Sequence, residues 1–208
     1  MGIRYRPAPT PTPTPAPSPT PTPTPPPTSS VKPLWESQNA NGKEWTTHVF
    51  NQLDSIGSNL LDIDPTDASE FCPRYSQFAT SQKKEFWSYL LSAMAKYESS
   101  FNPNTTYREA FKDAKGNQVI SRGLLQLSIE SSQAYGCGIK DPLELHDPYV
   151  NLSCGIRILN RWMGRDERIA GKVDGAWRGG ARYWSVLRTT SGSYAKIIGL
   201  TKAIAICR

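Results

Sequence analysis

The sequence Glu98-Ser99-Ser100-Phe101-Asn102-Pro103 ends a strongly amphipathic run, and Gly123-Leu124-Leu125-Gln126 follows about one hairpin later. The phenylalanine and the proline that come soon after Glu98 are expected to stop the helix there. A carboxyl group at such a helix end can be partly buried with a raised pKa, which allows it to donate a proton near neutral pH. Glu98 is therefore the candidate general acid. The competing interpretation is a solvated glutamate at a helix end.

Apolar spacing predicts two helices in the first half of the folded region. The first lies between Lys43 and Leu61 and carries Trp45, Val49, Leu53, Ile56 and Leu60 at helical intervals. Residues 62–80 are expected to form a long loop. The second helix is capped by Thr80 or Ser81 and ends at Glu98. Its apolar stripe consists of Phe86, Tyr89, Leu90, Ala93, Met94 and Tyr97.

The pattern changes between residues 107 and 121, where a turn at 114–117 with short flanks predicts one small β-hairpin. A further helix is expected to begin near Ser128. Another is expected after Asp147-Pro148, with aspartate as the cap and proline at the first helical position, and to end at Gly164. The last two helices are expected to include residues 182–187 and 194–206. The predicted fold class is mainly α with one small hairpin.

The N-terminal part of the sequence cannot form a core. Residues 7–28 consist almost entirely of Pro, Thr, Ala and Ser and hold 12 of the 18 prolines. Such a segment is expected to be a disordered, extended spacer about 70 Å long. We therefore predict a Pro/Thr-rich linker over residues 1–32 and one globular domain over residues 33–208.

The net charge of +6 suits an anionic polymer as partner, such as nucleic acid or bacterial wall. Three basic residues before position 33, Arg4, Arg6 and Lys32, supply half of it. No homeodomain, finger or RNP motif is present, so we expect no nucleic-acid binding. No run reaches the length of a membrane-spanning helix. Met1-Gly2-Ile3-Arg4-Tyr5-Arg6 is too short for a signal peptide, so an export signal or anchor upstream of the spacer, or another export route, is expected.

Four cysteines with wide spacing predict two disulfides in an exported, periplasmic or secreted protein. Three connectivities are possible. We favour Cys137–Cys154 together with Cys72–Cys207, since the latter pairing pins the C-terminus. The alternative is four buried thiols in a cytosolic protein.

Three motifs in sequence order carry a family resemblance. They are the segment at Glu98, the Gly-Leu-Leu-Gln segment at 123–126, and Asn151-Leu152-Ser153-Cys154-Gly155 on a later helix. Over roughly residues 80–190 this order resembles the lytic transglycosylase (SLT) and goose-type lysozyme superfamily. Leu125 replaces the usual Met of that family, and Ser128 stands where it usually has Pro.

The resemblance implies a lysozyme-like fold and cleavage of the β-1,4 bond between N-acetylmuramic acid and N-acetylglucosamine in peptidoglycan. It makes Glu98 the general acid, with Ser99 supporting its position and Gln126 lining the cleft against the sugar. The alternatives without a functional role are that Ser99 only caps the backbone and that Gln126 is an exposed loop amide. No cofactor or metal is expected, and a monomer is expected.

The chain departs from the family where an Ala-Tyr-Asn segment is usual. Residues 176–184 contain no Tyr-Asn pair, so Trp177, Tyr183 or Trp184 is expected to replace it as a sugar-stacking surface, unless these rings belong to the core. The missing Tyr-Asn pair predicts altered recognition of the sugar substituents. In this respect the chain resembles the deacetylation-specific lysozymes of predatory bacteria. The implied hypothesis is a preference for de-N-acetylated wall.

The sequence does not decide whether a second catalytic group is present or which residue it is. A transglycosylase needs no protein nucleophile, whereas a hydrolase normally needs a second carboxylate. Asp113 on the hairpin is the first candidate and Glu109 the second; a solvated hairpin aspartate is the alternative. His48 and His146 lie far apart without metal-binding spacing, and no nucleophile elbow or phosphate loop is present. The rival to an enzyme is a wall-binding module that keeps the fold without turnover.

Overall fold

The computed structural model describes residues 1–2 and 31–208, and the predicted Pro/Thr-rich spacer lies outside them. The helices are α1 Gly42–Ile56, α2 Ser58–Asp62, α3 Ala68–Phe71, α4 Thr80–Glu98, α5 Ile129–Ala134, α6 Pro148–Asp166 and α7 Tyr194–Ala203. Strands β1 Thr106–Lys112 and β2 Gln118–Arg122 form an antiparallel hairpin. Two further strands, β3 Lys172–Val173 and β4 Ala176–Trp177, pair over two residues each. The predicted fold class, mainly helical with one small hairpin, is confirmed.

Helix α4 forms the centre of the domain. It packs against α1, α2 and α7, and apolar side chains cover most of its circumference, as expected for a helix buried on several sides. The indole Nε1 of Trp87 donates to the Leu60 carbonyl at 2.7 Å and contacts the Tyr75 hydroxyl at 2.9 Å. These bonds satisfy the polar atoms of Trp87 and Tyr75 inside the core. The position of the last residue of α4, Glu98, is therefore fixed by the packing of the whole helix.

Several helix boundaries differ from the predicted ones. The first predicted helix is interrupted at Gly57, where the backbone packs so closely on Leu53 that a Cβ has no room. The predicted loop at 62–80 contains α3 and a 3-10 turn, Tyr75–Gln77. Helix α4 is capped at Ala79, whose N–H donates to the Gln82 side chain at 3.0 Å, rather than by Thr80 or Ser81.

The later helices also differ in detail. Asp147 caps α6 as predicted, but the helix continues past Gly164 to Asp166. The region 182–187 forms two 3-10 turns, Gly179–Arg182 and Ser185–Leu187, instead of one helix. Helix α7 ends at Ala203, and a separate 3-10 turn, Ala205–Cys207, closes the chain. Segment 182–187 therefore runs as a series of short turns along the edge of a surface cavity.

Both favoured disulfides are confirmed. Cys72–Cys207 joins the end of α3 to the last turn of the chain, and Cys137–Cys154 joins the loop after α5 to α6. The first closes a loop with a sequence separation of 135 residues and the second one of 17. Both therefore restrict the unfolded chain, the longer loop more strongly. Among the residues described, no helix is long and apolar enough to cross a membrane.

Candidate active site

The end of α4, the β1–β2 hairpin, the start of α5 and residues 182–188 enclose an open cavity of about 460 Å³. Its lining is rich in charged and hydroxyl groups. The lining includes Glu98, Glu109, Phe111, Asp113, Ser121, Gln126, Glu130, Arg182, Tyr183, Trp184 and Arg188. A cavity of this volume, with a few convergent polar groups, has the dimensions of a ligand site.

Glu98 lies in this cavity as the last residue of α4 and is half-buried. Burial raises the pKa of its carboxyl from an ordinary 4.5 to about 8, and the negative charge of Glu109 adds to the increase. Among residues 31–208, no side chain donates a hydrogen bond to this carboxylate or forms an ion pair with it. Glu98 is therefore a carboxyl group that retains its proton at neutral pH.

The backbone turns sharply directly after Glu98. Ser100 and Phe101 have φ values of 53° and 64°, in the left-handed region that non-glycine residues rarely adopt. Two consecutive residues of this kind end the helix at once and lead the chain into the hairpin. Strained backbone of this type is typical of functional sites.

Ser99 does not line the cavity. Its Oγ lies 3.2 Å from the Ala95 carbonyl and 2.9 Å from the Leu124 carbonyl, and the residue is buried. The hydroxyl therefore connects the end of α4 to segment 123–126. Support of Glu98 through the backbone, and not through contact with its carboxylate, is the role that this geometry allows.

Asn151 holds segment 123–126 from the other side. Its side chain is fully buried; Oδ1 accepts from the Leu125 N–H at 2.9 Å, and Nδ2 donates to the carbonyls of Arg122 and Leu145. Gly123, with φ of 78°, leaves the space that this amide occupies, because a Cβ there would overlap it. The three sequence motifs therefore meet in one hydrogen-bonded cluster, with Gly155 making room for the Leu125 side chain.

Gln126 brings an unsatisfied acceptor to the cavity. Its Nε2 donates to the carbonyls of Gly123 and Thr105, and these bonds fix the amide orientation. Its Oε1 is buried and accepts no hydrogen bond from the described residues. A buried carbonyl oxygen without a donor is costly unless a ligand or water supplies one. The predicted contact of Gln126 with a sugar remains a prediction that this geometry fits.

Tyr183 and Trp184 both line the cavity but differ in their hydrogen bonds. The Trp184 ring is only 2% exposed, and its Nε1 donates to the Leu125 carbonyl at 2.9 Å, so it mainly supports segment 123–126. The Tyr183 hydroxyl accepts from the Ser128 N–H at 3.4 Å, and burial raises the pKa of this phenol to about 12. Trp177 lies between Lys172 and Arg188 and is not part of the lining.

The two hairpin carboxylates occupy different environments. Asp113 accepts hydrogen bonds from the N–H groups of Lys115 and Asn117 and from the Asn117 side chain, and these bonds lower the pKa of its carboxyl. Glu109 is half-buried and accepts from the Ser121 hydroxyl at 2.6 Å. It also acts electrostatically on Glu98. Of the two, Glu109 is the one coupled to the candidate acid.

Sequence reasoning missed several lining residues, among them Glu130, Arg188 and Phe111. Glu130 carries a buried Oε2 that accepts no bond from the described residues. Arg188 donates through Nε to the Ala181 carbonyl, and its guanidinium lies over Trp177. Phe111 is 60% exposed at the edge of the cavity. Only Phe111 gave a local signal, a large apolar side chain on a strand whose neighbours are polar.

Most of these residues lie in a segment that matches a known family model. The model described as the transglycosylase SLT domain matches residues 75–190, which is more than half of the chain and includes all three motifs. The chain belongs to this family. It is accordingly a peptidoglycan-cleaving glycosidase of the lysozyme and lytic transglycosylase type.

The chain is also similar to three solved structures of DslA, one of the wild type and two of glutamate-to-glutamine mutants. The wild-type structure is 56% identical with a TM-score of 0.85, and the match covers 87% of this chain and 100% of that one. Each mutant is 55% identical with the same TM-score and coverage. No curated protein sequence shows significant similarity to this chain.

Replacement of Asn151 by Leu should destabilise the domain by about 3 kcal/mol or more. The change leaves the buried Leu125 N–H and the Leu145 carbonyl unpaired, while the Arg122 carbonyl keeps the Leu127 N–H. Each unsatisfied group costs about 1–3 kcal/mol. Urea unfolding measures the loss. Asn51→Ala, on the exposed face of α1, is the matched control and should change stability by about 0.5 kcal/mol or less. Equal stability of the two variants would refute the bracing role of Asn151.

Glu98→Gln should stabilise the protein at pH 8 by about 1–2 kcal/mol, after allowance for solvent screening of a half-buried group. The native state holds the Glu98 proton up to about pH 8, whereas the unfolded chain releases it near pH 4.5. The wild type therefore loses stability relative to the variant as the pH rises through this window. Chemical denaturation at pH 4 and pH 8 should show the difference only at pH 8. A difference that is the same at both pH values would contradict the raised pKa.

Proposed function

We propose that this SLT-family enzyme is a muramidase that cleaves the β-1,4 bond between N-acetylmuramic acid and N-acetylglucosamine, with Glu98 as general acid. The main support is a protonated carboxyl at neutral pH in an open cavity lined by hydroxyl, amide and aromatic groups. A proton held to about pH 8 is available for the glycosidic oxygen under most wall-degrading conditions.

Glu109 is the second carboxylate of the proposed mechanism. It shares the cavity with Glu98, and the Ser121 hydroxyl fixes one of its oxygens. The two mutated glutamates of DslA are 11 positions apart in that protein's numbering, and Glu98 and Glu109 are also 11 apart. Asp113, the first candidate from the sequence, already uses its carboxylate to close the hairpin turn. This contrast favours Glu109.

The two carboxyl groups take complementary roles in the proposed mechanism. Burial, together with the negative charge of Glu109, raises the pKa of Glu98 and keeps its proton in place, so Glu98 is the acid and Glu109 the base. In hydrolysis, the Glu98 proton moves to the glycosidic oxygen as the C1–O bond breaks. A water oxygen bonds to C1, and Glu109 accepts the proton which that water releases. The products are a free hydroxyl on one sugar and a reducing end on the other.

The cavity also favours a cationic sugar, so we extend the proposal to a preference for de-N-acetylated peptidoglycan. Besides the protonated Glu98, three carboxylates line it, Glu109, Asp113 and Glu130, against two arginines. One of these, Arg182, is already paired with Asp166 at 2.6 Å. The buried oxygens of Gln126 and Glu130 accept no bond from the described residues. A glucosamine ammonium supplies both the positive charge and the donors that these groups need.

We also propose a cellular location and an oligomeric state. The two disulfides are typical of an extracytoplasmic protein, and we place the enzyme in the periplasm or the secreted fraction, where its substrate lies. A monomer is the proposed state, because one chain supplies both carboxylates and all walls of the cavity.

Turnover of purified sacculi by wild type, Glu98→Gln, Glu109→Gln and Asp113→Asn tests the catalytic assignment. Loss of the acid or of the base should reduce kcat by about 10²–10⁴-fold, whereas Asp113→Asn should stay within about threefold of wild type. Wild-type kcat/KM should fall above about pH 8 as Glu98 loses its proton. Full activity of Glu98→Gln would overturn the proposal. A loss confined to Asp113→Asn would transfer the second role to Asp113.

Mass spectrometry of the released muropeptides distinguishes the two reaction types. Hydrolysis by water should give reducing ends. A transglycosylase reaction, in which the muramyl 6-hydroxyl attacks C1, would give 1,6-anhydro ends that are lighter by one water, and this outcome would contradict the role of Glu109 as base toward water.

The substrate preference is tested on one sacculus preparation divided into a de-N-acetylated and a chemically re-acetylated portion. We expect kcat/KM to be about tenfold or more higher on the de-N-acetylated portion, since one buried charge-assisted hydrogen bond contributes about 1.5–3 kcal/mol. Glu130→Gln should reduce this ratio. Equal rates on both portions would disprove the preference and leave the role of Glu98 intact.

A further inference from the structure

Glu109 occupies an unusual position on its strand. Every other residue of β1 is exposed, including the aromatic residues Tyr107 and Phe111, and only the charged Glu109 is half-buried. On an ordinary strand the apolar side chains would be buried and the charged one solvated. Phe111 of the same strand also lines the cavity but stays exposed, so a local feature of the backbone must account for the burial of Glu109.

That feature is a bulge in β1. Arg108 pairs with Ile120 and Lys112 pairs with Gln118, so that residues 109–111 face only Val119. The additional residues of β1 cannot all form ladder hydrogen bonds with β2. Bulges of this kind bend a strand and re-aim its side chains, and they are frequent beside active sites.

The side chain of Gln118 replaces the missing ladder bonds. Its Nε2 donates to the Glu109 carbonyl at 2.6 Å and lies 3.2 Å from the Phe111 carbonyl. One amide group therefore spans the bulge and fixes the backbone on both sides of Ala110. Ser121, three residues further along β2, then fixes the Glu109 carboxylate itself at 2.6 Å. Two side chains of β2 thus set both the backbone and the carboxylate of one residue of β1.

We propose that Gln118 is a positioning residue, which holds the β1 bulge in the shape that directs Glu109 into the cavity toward Glu98. This inference rests on the proposed function of Glu109 as the second carboxylate. Gln118 does not line the cavity. Its effect on the reaction is therefore transmitted through Glu109.

A purely structural role for Gln118 predicts something different. The hairpin has other constraints, namely the pairs at Thr106–Arg122, Tyr107–Ser121 and Arg108–Ile120 and the Asp113 turn. These remain when the Gln118 amide is removed, and the carbonyls that it releases are near enough to solvent to bind water. Loss of the amide should therefore change the geometry of the bulge more than the stability of the domain.

The test compares Gln118→Met with Gly116→Ala. Methionine keeps the approximate length of the side chain without charge or amide donors. Gly116 has φ of 83° in the hairpin turn with no atom within 4 Å of an added Cβ, so alanine there strains the hairpin without touching the bulge. On sacculi, Gln118→Met should lower kcat about tenfold with KM unchanged within twofold, whereas Gly116→Ala should leave kcat within twofold of wild type.

The pH profile and a double-mutant cycle show whether the effect passes through Glu109. Because the Glu109 charge contributes to the raised pKa of Glu98, a displaced Glu109 should move the alkaline limb of the Gln118→Met profile to lower pH, in the same direction as Glu109→Gln. In a Glu109→Gln background, Gln118→Met should cause no further loss of kcat.

The outcomes separate the two proposals. If Glu109→Gln is impaired while Gln118→Met matches wild type, or if the two losses simply add, the positioning role is wrong and the function of Glu109 stands. If Gly116→Ala loses as much activity as Gln118→Met, the effect reflects the hairpin as a whole and the inference fails. If Glu109→Gln retains wild-type activity, the proposed second carboxylate fails and the positioning role falls with it.

Discussion

The burial of one carboxyl group at the end of a packed helix is the constraint on which the rest of the site depends. Glu98 cannot move away from the cavity, because α4 is held by the core on most of its surface. It also has no described hydrogen-bond donor that would favour its ionised form. The free-energy cost of burying the charge therefore becomes a raised pKa, and the core that stabilises the fold also keeps the proton of the proposed acid in place.

The three sequence motifs form a brace around this group. The Ser99 hydroxyl, the Asn151 amide and the Trp184 indole all bind the backbone of segment 123–126, from three different parts of the chain. None of these atoms needs to contact the substrate. Their function is to hold the backbone beside Glu98 rigid, which a pre-organised site requires. The order of the motifs is thus informative about the family because each supplies one part of a single hydrogen-bonded cluster.

Local signals in the sequence predicted part of this arrangement. The Asp147-Pro148 cap, the apolar stripe of α4 and the hairpin turn depend on neighbouring residues, and the structure shows all three. The break at Gly57 was not predictable from periodicity, because the apolar pattern continues through it while close packing on Leu53 decides the backbone.

Glu109, the carboxylate that acts electrostatically on Glu98, was harder to predict from the sequence. Asp113 on the hairpin is the first candidate from the sequence and Glu109 the second, yet the hairpin turn uses the Asp113 carboxylate. The inward direction of Glu109 arises from a bulge, and the bulge depends on a Gln118 amide nine residues away in sequence. Pattern arguments treat strand residues as alternating and cannot detect such a long-side-chain bond. The same limit hid Glu130, whose Oε2 is buried in the first turn of α5.

A direct titration of the Glu98 carboxyl tests the central claim most directly. The side-chain carboxyl carbons are followed by carbon-13 NMR from pH 3 to pH 10, and Glu98 is assigned by the signal that disappears in Glu98→Gln. The account predicts a midpoint near 8 for the wild type and a lower midpoint in Glu109→Gln, because the neighbouring charge is then absent. A midpoint near the ordinary 4.5 would show that the carboxyl is ionised at neutral pH and would contradict its role as the acid.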